Sequence, residues 1–179
     1  MRISKLTKIL LDEIVKIQQS NNKGKTEPEI ERRFFVKSLP PNLDKYPHAE
    51  ITQGYLKSND GTSIRIREID DKYYTTTKTG SGKIRIEKEA EISKTLFNSL
   101  WHLTKDRRLT KTRYEIPYQG HTIQLDTYHG KLEGFVTVEV EFEDEKTCDE
   151  FIPLDWFGKE VTDDGRYSNK SLATHGLPE

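Results

Sequence analysis

A chain of 179 residues supports one ordinary domain and is too short for two with separate full cores. Its 29 Lys+Arg and 30 Asp+Glu leave a net charge of -1, which argues against wholesale coating of nucleic acid. The single Cys148 rules out an internal disulfide framework and a cysteine-based zinc site, so nothing ties the chain to an oxidising compartment.

At the N-terminus Arg2, Lys5 and Lys8 imitate a basic leader, but Asp12, Glu13 and Lys16 interrupt the apolar stretch a signal peptide needs. No apolar run reaches the roughly 18 residues of a membrane span, so the expected location is the cytoplasm. Residues 3–18 place Ile3, Leu6, Leu10, Ile14 and Ile17 on one stripe and predict an amphipathic helix. The polar stretch 18–26 reads as a linker, which divides the chain into helix and linker at 1–26 and a main domain at 27–179. The helix docks either on its own domain or on a second copy in a homodimer.

From Glu29 onward the period changes to strict alternation, and strands are expected at 29–36, 50–57, 63–69, 73–79, 83–92, 109–118, 121–128 and 135–143. Asn59-Asp60-Gly61, Gly80-Ser81-Gly82 and Gln119-Gly120 supply turn chemistry between them. Ser93 caps a helix expected to run to about residue 105, and a shorter helix at 145–151 is stopped by Pro153. The fold class is mainly β, with eight antiparallel strands and a few flanking helices, which favours a barrel or a sandwich.

Each strand has an apolar side and an ionic side. Charges two apart repeat the same sign: Glu29 with Glu31, Arg65 with Arg67, Glu87 with Glu89, Lys111 with Arg113, Glu139 with Glu141. A water-facing sheet normally mixes signs, because like neighbours repel. Carboxylates clustered without His or Cys suit hard divalent cations such as Mg²⁺ or Mn²⁺, and clustered Arg and Lys suit phosphate oxygens. Both clusters on one concave surface imply a metal-bound polyphosphate.

Ordered motifs carry a family resemblance: Glu29-Ile30-Glu31-Arg32-Arg33-Phe34-Phe35-Val36, Gln53-Gly54-Tyr55-Leu56, Ile64-Arg65-Ile66-Arg67, Thr76-Thr77-Lys78, Arg85-x-Glu87-x-Glu89, Lys111-Thr112-Arg113-Tyr114, Leu125-Asp126, Val138-Glu139-Val140-Glu141-Phe142 and the stretch from Val161 to Ala173. With these the chain resembles the CYTH, or triphosphate tunnel metalloenzyme, family between Glu29 and Ala173. The ending, Trp156-Phe157-Gly158-Lys159-Glu160-Val161-Thr162 followed by Arg166-Tyr167-x-Asn169-Lys170, is similar to the small bacterial branch that hydrolyses inorganic triphosphate. The resemblance implies an eight-stranded antiparallel β-barrel forming a tunnel, with acids and bases inside. It implies metal-dependent cleavage of inorganic triphosphate to pyrophosphate and phosphate, with weaker action on ATP. Class IV adenylate cyclases share the barrel and opening motif, and a non-catalytic polyphosphate-binding module is a further alternative. One departure is Arg33, where the family usually has Lys.

On this basis Arg33, Arg65, Arg67, Lys78, Arg85, Lys111, Arg113, Arg166, Tyr167 and Lys170 are expected at the phosphates. Glu29, Glu31, Glu139 and Glu141, with Glu87, Glu89 and Asp126, are expected around two Mg²⁺ or Mn²⁺ ions. Glu29, Glu31, Arg33 and Lys111 form the expected catalytic set. The partner is a small molecule, with neither nucleic acid nor membrane expected.

Overall fold

A computed structural model describes residues 5–20, 28–57, 63–81 and 84–179, with the side chains of 5–7, 19–20, 28–29, 79–81 and 84–86 outside the described set. The turn at Asn59-Asp60-Gly61, residue Gly82, Ile3 and most of the linker 18–26 therefore lie outside the described residues. In chain order the elements are α1 (Lys5–Ser20), β1 (Pro28–Val36), β2 (His48–Leu56), β3 (Ser63–Ile69), β4 (Lys72–Ser81), β5 (Ile84–Ile92), α2 (Lys94–Trp101), β6 (Arg108–Tyr118), β7 (His121–Tyr128), β8 (Val136–Phe142), α3 (Glu145–Glu150), β9 (Phe157–Glu160) and α4 (Asn169–His175).

The strands form one antiparallel sheet in the order β5-β4-β3-β2-β6-β7-β8-β1-β9. The sheet curls until β1 also meets β5, through Pro28↔Ile86, Glu29↔Arg85 and Ile30↔Ile84. Those three pairs are a short seam compared with the β4–β5 ladder, which runs unbroken from Tyr73↔Ile92 to Ser81↔Ile84. Two corrections to the expected barrel follow. Eight strands encircle the lumen without a continuous ladder around it, and a ninth, β9, takes the free edge of β1 at Phe34 and Val36.

The hydrophobic core lies outside this ring. Outward residues of β1, β7 and β8, namely Ile30, Phe34, Ile123, Leu125, Val138 and Val140, pack beneath α3 and the segment carrying Phe151 and Phe157. On the opposite side Leu56, Ile66, Tyr73 and Ile92 pack beneath α2 through Leu96, Phe97 and Leu100. Helix α1 docks here in cis: Ile14 is buried in that cluster, Leu10, Leu11 and Ile17 flank it, and Gln18 Nε2 donates to the Lys88 carbonyl at 3.2 Å. Alternation of apolar and ionic residues forces this arrangement, since each strand can bury its apolar side only against something outside the ring.

Local chemistry sets the connections. Gln119-Gly120, with φ of 47° and 82°, makes the two-residue turn between Tyr118 and His121. Asp70-Asp71, with φ of 48° and 61°, makes the corresponding turn between β3 and β4. Ser93 caps α2 by accepting from the Leu96 N–H, but the helix ends at Trp101 and tightens into a 3₁₀ turn over His102–Thr104, short of the expected residue 105. That turn explains a glycine. Thr104 presses on the outer face of β2 so closely that a Cβ on Gly54 would lie 2.7 Å from its side chain. In the Gln53-Gly54-Tyr55-Leu56 motif, Gly54 and Leu56 thus serve the exterior, while Gln53 and Tyr55 face the lumen.

Helix α4 lies across the end of the ring where β6 begins and β7 ends. Ser168 caps it, and Leu172 packs with Leu109, Tyr128 and Leu132. At the other end Ala49, Ile51, Ile69, Arg113 and Glu115 line an open recess of about 230 Å³.

Candidate active site

The register of the ladders puts alternate residues of all eight ring strands on the inner face. Arg33 lies opposite Glu139, Glu31 opposite Glu141, Arg113 opposite Asp126, Arg65 opposite Thr76, Thr76 opposite Glu89 and Lys78 opposite Glu87. Like charges repeat along β3, β5, β6 and β8, as the sequence indicates, and neighbouring strands mostly bring opposite signs side by side, Glu31 and Glu141 excepted.

One network joins β1, β6, β7 and β8. Arg33 Nε donates to Glu139 Oε1 at 2.7 Å, Nη2 to Glu31 Oε1 at 3.2 Å and Nη1 to the Tyr167 carbonyl at 3.3 Å. Arg113 forks onto both oxygens of Asp126, each at 2.7 Å, reaches Glu139 Oε2 at 2.8 Å and also touches Gln124. Lys111 donates to Asp126 Oδ2 at 2.5 Å. Burial opposes the charge on Glu139, yet Arg33, Arg113 and Lys111 outweigh it and hold this carboxyl well below the usual carboxylate range. The same burial pushes the Lys111 ammonium down to about 8, assisted by the positive charge of Arg113 and only partly offset by Asp126.

A second network spans β3, β4 and β5. Arg67 Nη2 lies 2.8 Å from Glu89 Oε2, Arg65 Nη2 lies 3.1 Å from Thr76 Oγ1 and 3.5 Å from Glu87, and Lys78 pairs with Glu87. Enclosure, then Arg65, lowers the Arg67 guanidinium below its ordinary value. The Nε–H groups of Arg65 and Arg67 are enclosed and have no hydrogen-bond partner among the described residues. Two such donors projecting from adjacent inward positions on one strand suit an anion with several oxygens.

Among the described residues the lumen balances in charge, with Arg33, Arg65, Arg67, Lys78, Lys111 and Arg113 set against Glu31, Glu87, Glu89, Asp126, Glu139 and Glu141. No three carboxylates, histidines or cysteines among the described residues already converge on a metal-sized point. The donor chemistry nevertheless fits a hard divalent cation at the mouth where Glu31 and Glu141 are cross-strand neighbours. Burial, then Glu139, raises the Glu141 carboxyl, as expected of an acid lacking a nearby cation strong enough to offset both.

Glu29 and Arg85 are backbone partners across the seam, and their side chains lie outside the described set. Arg166 is 65% exposed and clamped by Asp164 on its own turn. Tyr167 turns its ring onto Phe35 and Phe135, so that only its carbonyl meets the network. Lys170 is exposed on α4, whereas its neighbour Asn169 is buried, accepts from Tyr128 Oη at 2.8 Å and donates to Glu139 at 3.4 Å. Asn169 and the inward Gln53 and Tyr55 stand in the family motifs but carry no role there, because those roles fall almost wholly on charged residues.

A curled antiparallel sheet with an ionic lumen and an apolar exterior defines a tunnel protein, and the comparisons agree. The chain belongs to the CYTH family, whose domain matches residues 27–172. It is 43% identical over 149 residues to an inorganic triphosphatase of Nitrosomonas europaea, covering 81% of this chain and 96% of that one. An inorganic triphosphatase of Acetivibrio thermocellus is 36% identical over 151 residues, covering 80% and 92%. The crystal structure of an inorganic triphosphatase superimposes with a TM-score of 0.64 at 38% identity, covering 84% of this chain and 97% of that one. Adenylate-cyclase-like structures are more distant, one from Bacillus halodurans being 18% identical with a TM-score of 0.52, and share the fold alone.

Proposed function

We propose that this chain is an inorganic triphosphatase, cleaving triphosphate to pyrophosphate and orthophosphate. The observation that carries the proposal is the charge-balanced lumen with two enclosed guanidinium N–H groups awaiting acceptors. A triphosphate carries roughly four to five negative charges, too many for a lumen already neutral, and two divalent ions would offset about four of them. Mg²⁺ or Mn²⁺ fits carboxylate oxygens in this way.

In this proposal Arg65, Arg67, Lys78, Arg85 and Arg113 grip phosphate oxygens, and Arg65, Arg67, Lys78 and Arg113 exchange part of their carboxylate pairing for the substrate. Arg33 and Lys111 stand nearest the reacting phosphorus. Glu29, Glu31 and Glu141 would hold metal at the mouth with Glu139 next to them, while Asp126, Glu87 and Glu89 serve as acceptors for the bases of the lumen. When bound, the metal would neutralise phosphate charge and draw electron density from phosphorus. The protein's own share is positioning and charge neutralisation, which is most of what phosphoryl transfer requires. Arg166, Tyr167 and Lys170 contribute at the α4 end, where Asn169 and the Tyr167 carbonyl tie that segment to Glu139 and Arg33. No helix among the described residues is long and apolar enough to cross a membrane, and we place the enzyme in the cytoplasm.

The test is orthophosphate release from inorganic triphosphate, pyrophosphate and ATP, with Mg²⁺ and Mn²⁺ in parallel. Triphosphate is expected to be cleaved fastest, chelation to stop release, and Glu31→Gln to raise the metal concentration needed. Cyclic AMP formed from ATP would select a cyclase instead, and tight triphosphate binding without release under either metal would select a non-catalytic binding module.

A further inference from the structure

Gln53 faces the lumen from β2, is 1% exposed and has no part in the roles above. In register it lies opposite Arg67 of β3 and Leu109 of β6. Its Nε2 donates to Tyr55 Oη at 2.8 Å, which fixes the plane of the amide. Tyr55 in turn lies within the field of Arg65, Lys78 and Arg33. Gln53 Oε1 is enclosed and without a hydrogen-bond partner among the described residues, like the Nε–H groups of the neighbouring Arg65 and Arg67.

An enclosed amide oxygen left unpaired destabilises the site, so a ligand that pairs it gains accordingly. An ionised triphosphate answers the two guanidinium N–H groups, because its oxygens accept. It cannot answer Gln53 Oε1, which also accepts. A metal ion is ill placed beside Arg67, whose guanidinium already feels the charge of Arg65. Hydrolysis has one further reactant, and that reactant is a hydrogen-bond donor.

We infer that Gln53 Oε1 holds the water that attacks the terminal phosphorus, a catalytic role resting on the proposed triphosphatase function. The amide accepts one O–H of the water and directs a lone pair at phosphorus, without taking the proton itself. The water oxygen forms the new P–O bond as the bridging P–O bond breaks, and that bond's electron pair leaves on pyrophosphate. One water proton stays on the orthophosphate and the other ends on the pyrophosphate, so triphosphate pentaanion and water give hydrogenphosphate and hydrogenpyrophosphate. Tyr55 is a positioning residue that holds the amide plane, with Nε2 on its hydroxyl and Oε1 on the side turned to the water.

The test compares wild type with Gln53→Met, which keeps the volume and removes both amide functions, and with Tyr55→Phe, which releases the amide orientation. Measured quantities are kcat, the metal concentration for half-maximal rate, thermal midpoint, and the Kd of a non-hydrolysable imido analogue of triphosphate. Gln53→Met is expected to lower kcat about tenfold or more, with Kd and metal requirement within about twofold, and Tyr55→Phe to lower kcat by a smaller factor. Weakened analogue binding at unchanged kcat would make Gln53 a phosphate donor and overturn the inference, as would a raised metal requirement or unchanged kinetics. Should Gln53→Met fail to fold, the kcat-to-Kd split in Tyr55→Phe decides. Wild-type protein that releases no orthophosphate from triphosphate would instead remove the proposed function itself.

Discussion

Lys111 Nζ lies 2.5 Å from Asp126 Oδ2, and both side chains are almost wholly enclosed within the lumen. The pair does not leave Lys111 with an ordinary lysine's hold on its proton, because burial and Arg113 together outweigh Asp126.

A pH dependence follows. In the unfolded chain Lys111 titrates near its ordinary ~10.4, and in the folded protein at about 8. Between those values the unfolded state binds more protons, so stability rises with pH, and the penalty of charging Lys111 is complete below about 8. Thermal melts of ligand-free protein between about pH 7.5 and 9.5 should show this rise, and Lys111→Met should flatten it. Equal slopes in the two proteins would show that Lys111 titrates normally.

Glu139 accepts from both Arg33 and Arg113. Glu139→Gln leaves two enclosed guanidinium groups short of an anion and should cost about 3–5 kcal/mol in denaturant unfolding. Triphosphate should restore part of the loss by binding the folded state, and a variant as stable as wild type would mean that solvent already screens the network.

Arg33 reaches three acceptors in different directions, which the single ammonium of a lysine cannot reproduce with the same geometry. Arg33→Lys should therefore lower stability by about 1–3 kcal/mol, chiefly through the lost tie to the Tyr167 carbonyl. Turnover is expected to stay within about tenfold of wild type. A rise beyond that, about 1.4 kcal/mol of barrier, would mark the native arginine as a brake.

Ile14 anchors α1 against the outer faces of β3, β4 and β5, far from the ionic lumen. Ile14→Ala should destabilise the protein by about 2–5 kcal/mol and leave kcat of the folded enzyme unchanged. Equal melting of the variant and wild type would mean that the docked helix adds nothing to the fold.

Much of this was legible in the residues. Alternation located the eight ring strands, because a strand that buries one side and charges the other writes its period into the sequence. The ninth strand escaped notice, since Phe157-Gly158-Lys159-Glu160 is too short to show a period and pairs only with β1. The repeated signs along Arg65–Arg67 and Glu87–Glu89 suggested an added ligand. The fold itself supplies part of that partnership by setting basic β3 within reach of acidic β5 across the narrow threonines of β4. Strand neighbours are a matter of topology, which no local pattern encodes. Arg166 pairs locally with Asp164, two residues earlier, a contact that the family motif does not indicate.

The arrangement of β1 governs how the protein comes into being. Its ladder partner β8 follows it by about a hundred residues, and β9 lies further still. A polypeptide emerging from the ribosome therefore meets only the short β5 seam early and leaves the long β8 edge of β1 open until about a hundred further residues have been synthesised, and the acidic Glu29 and Glu31 on that strand help keep the waiting edge soluble.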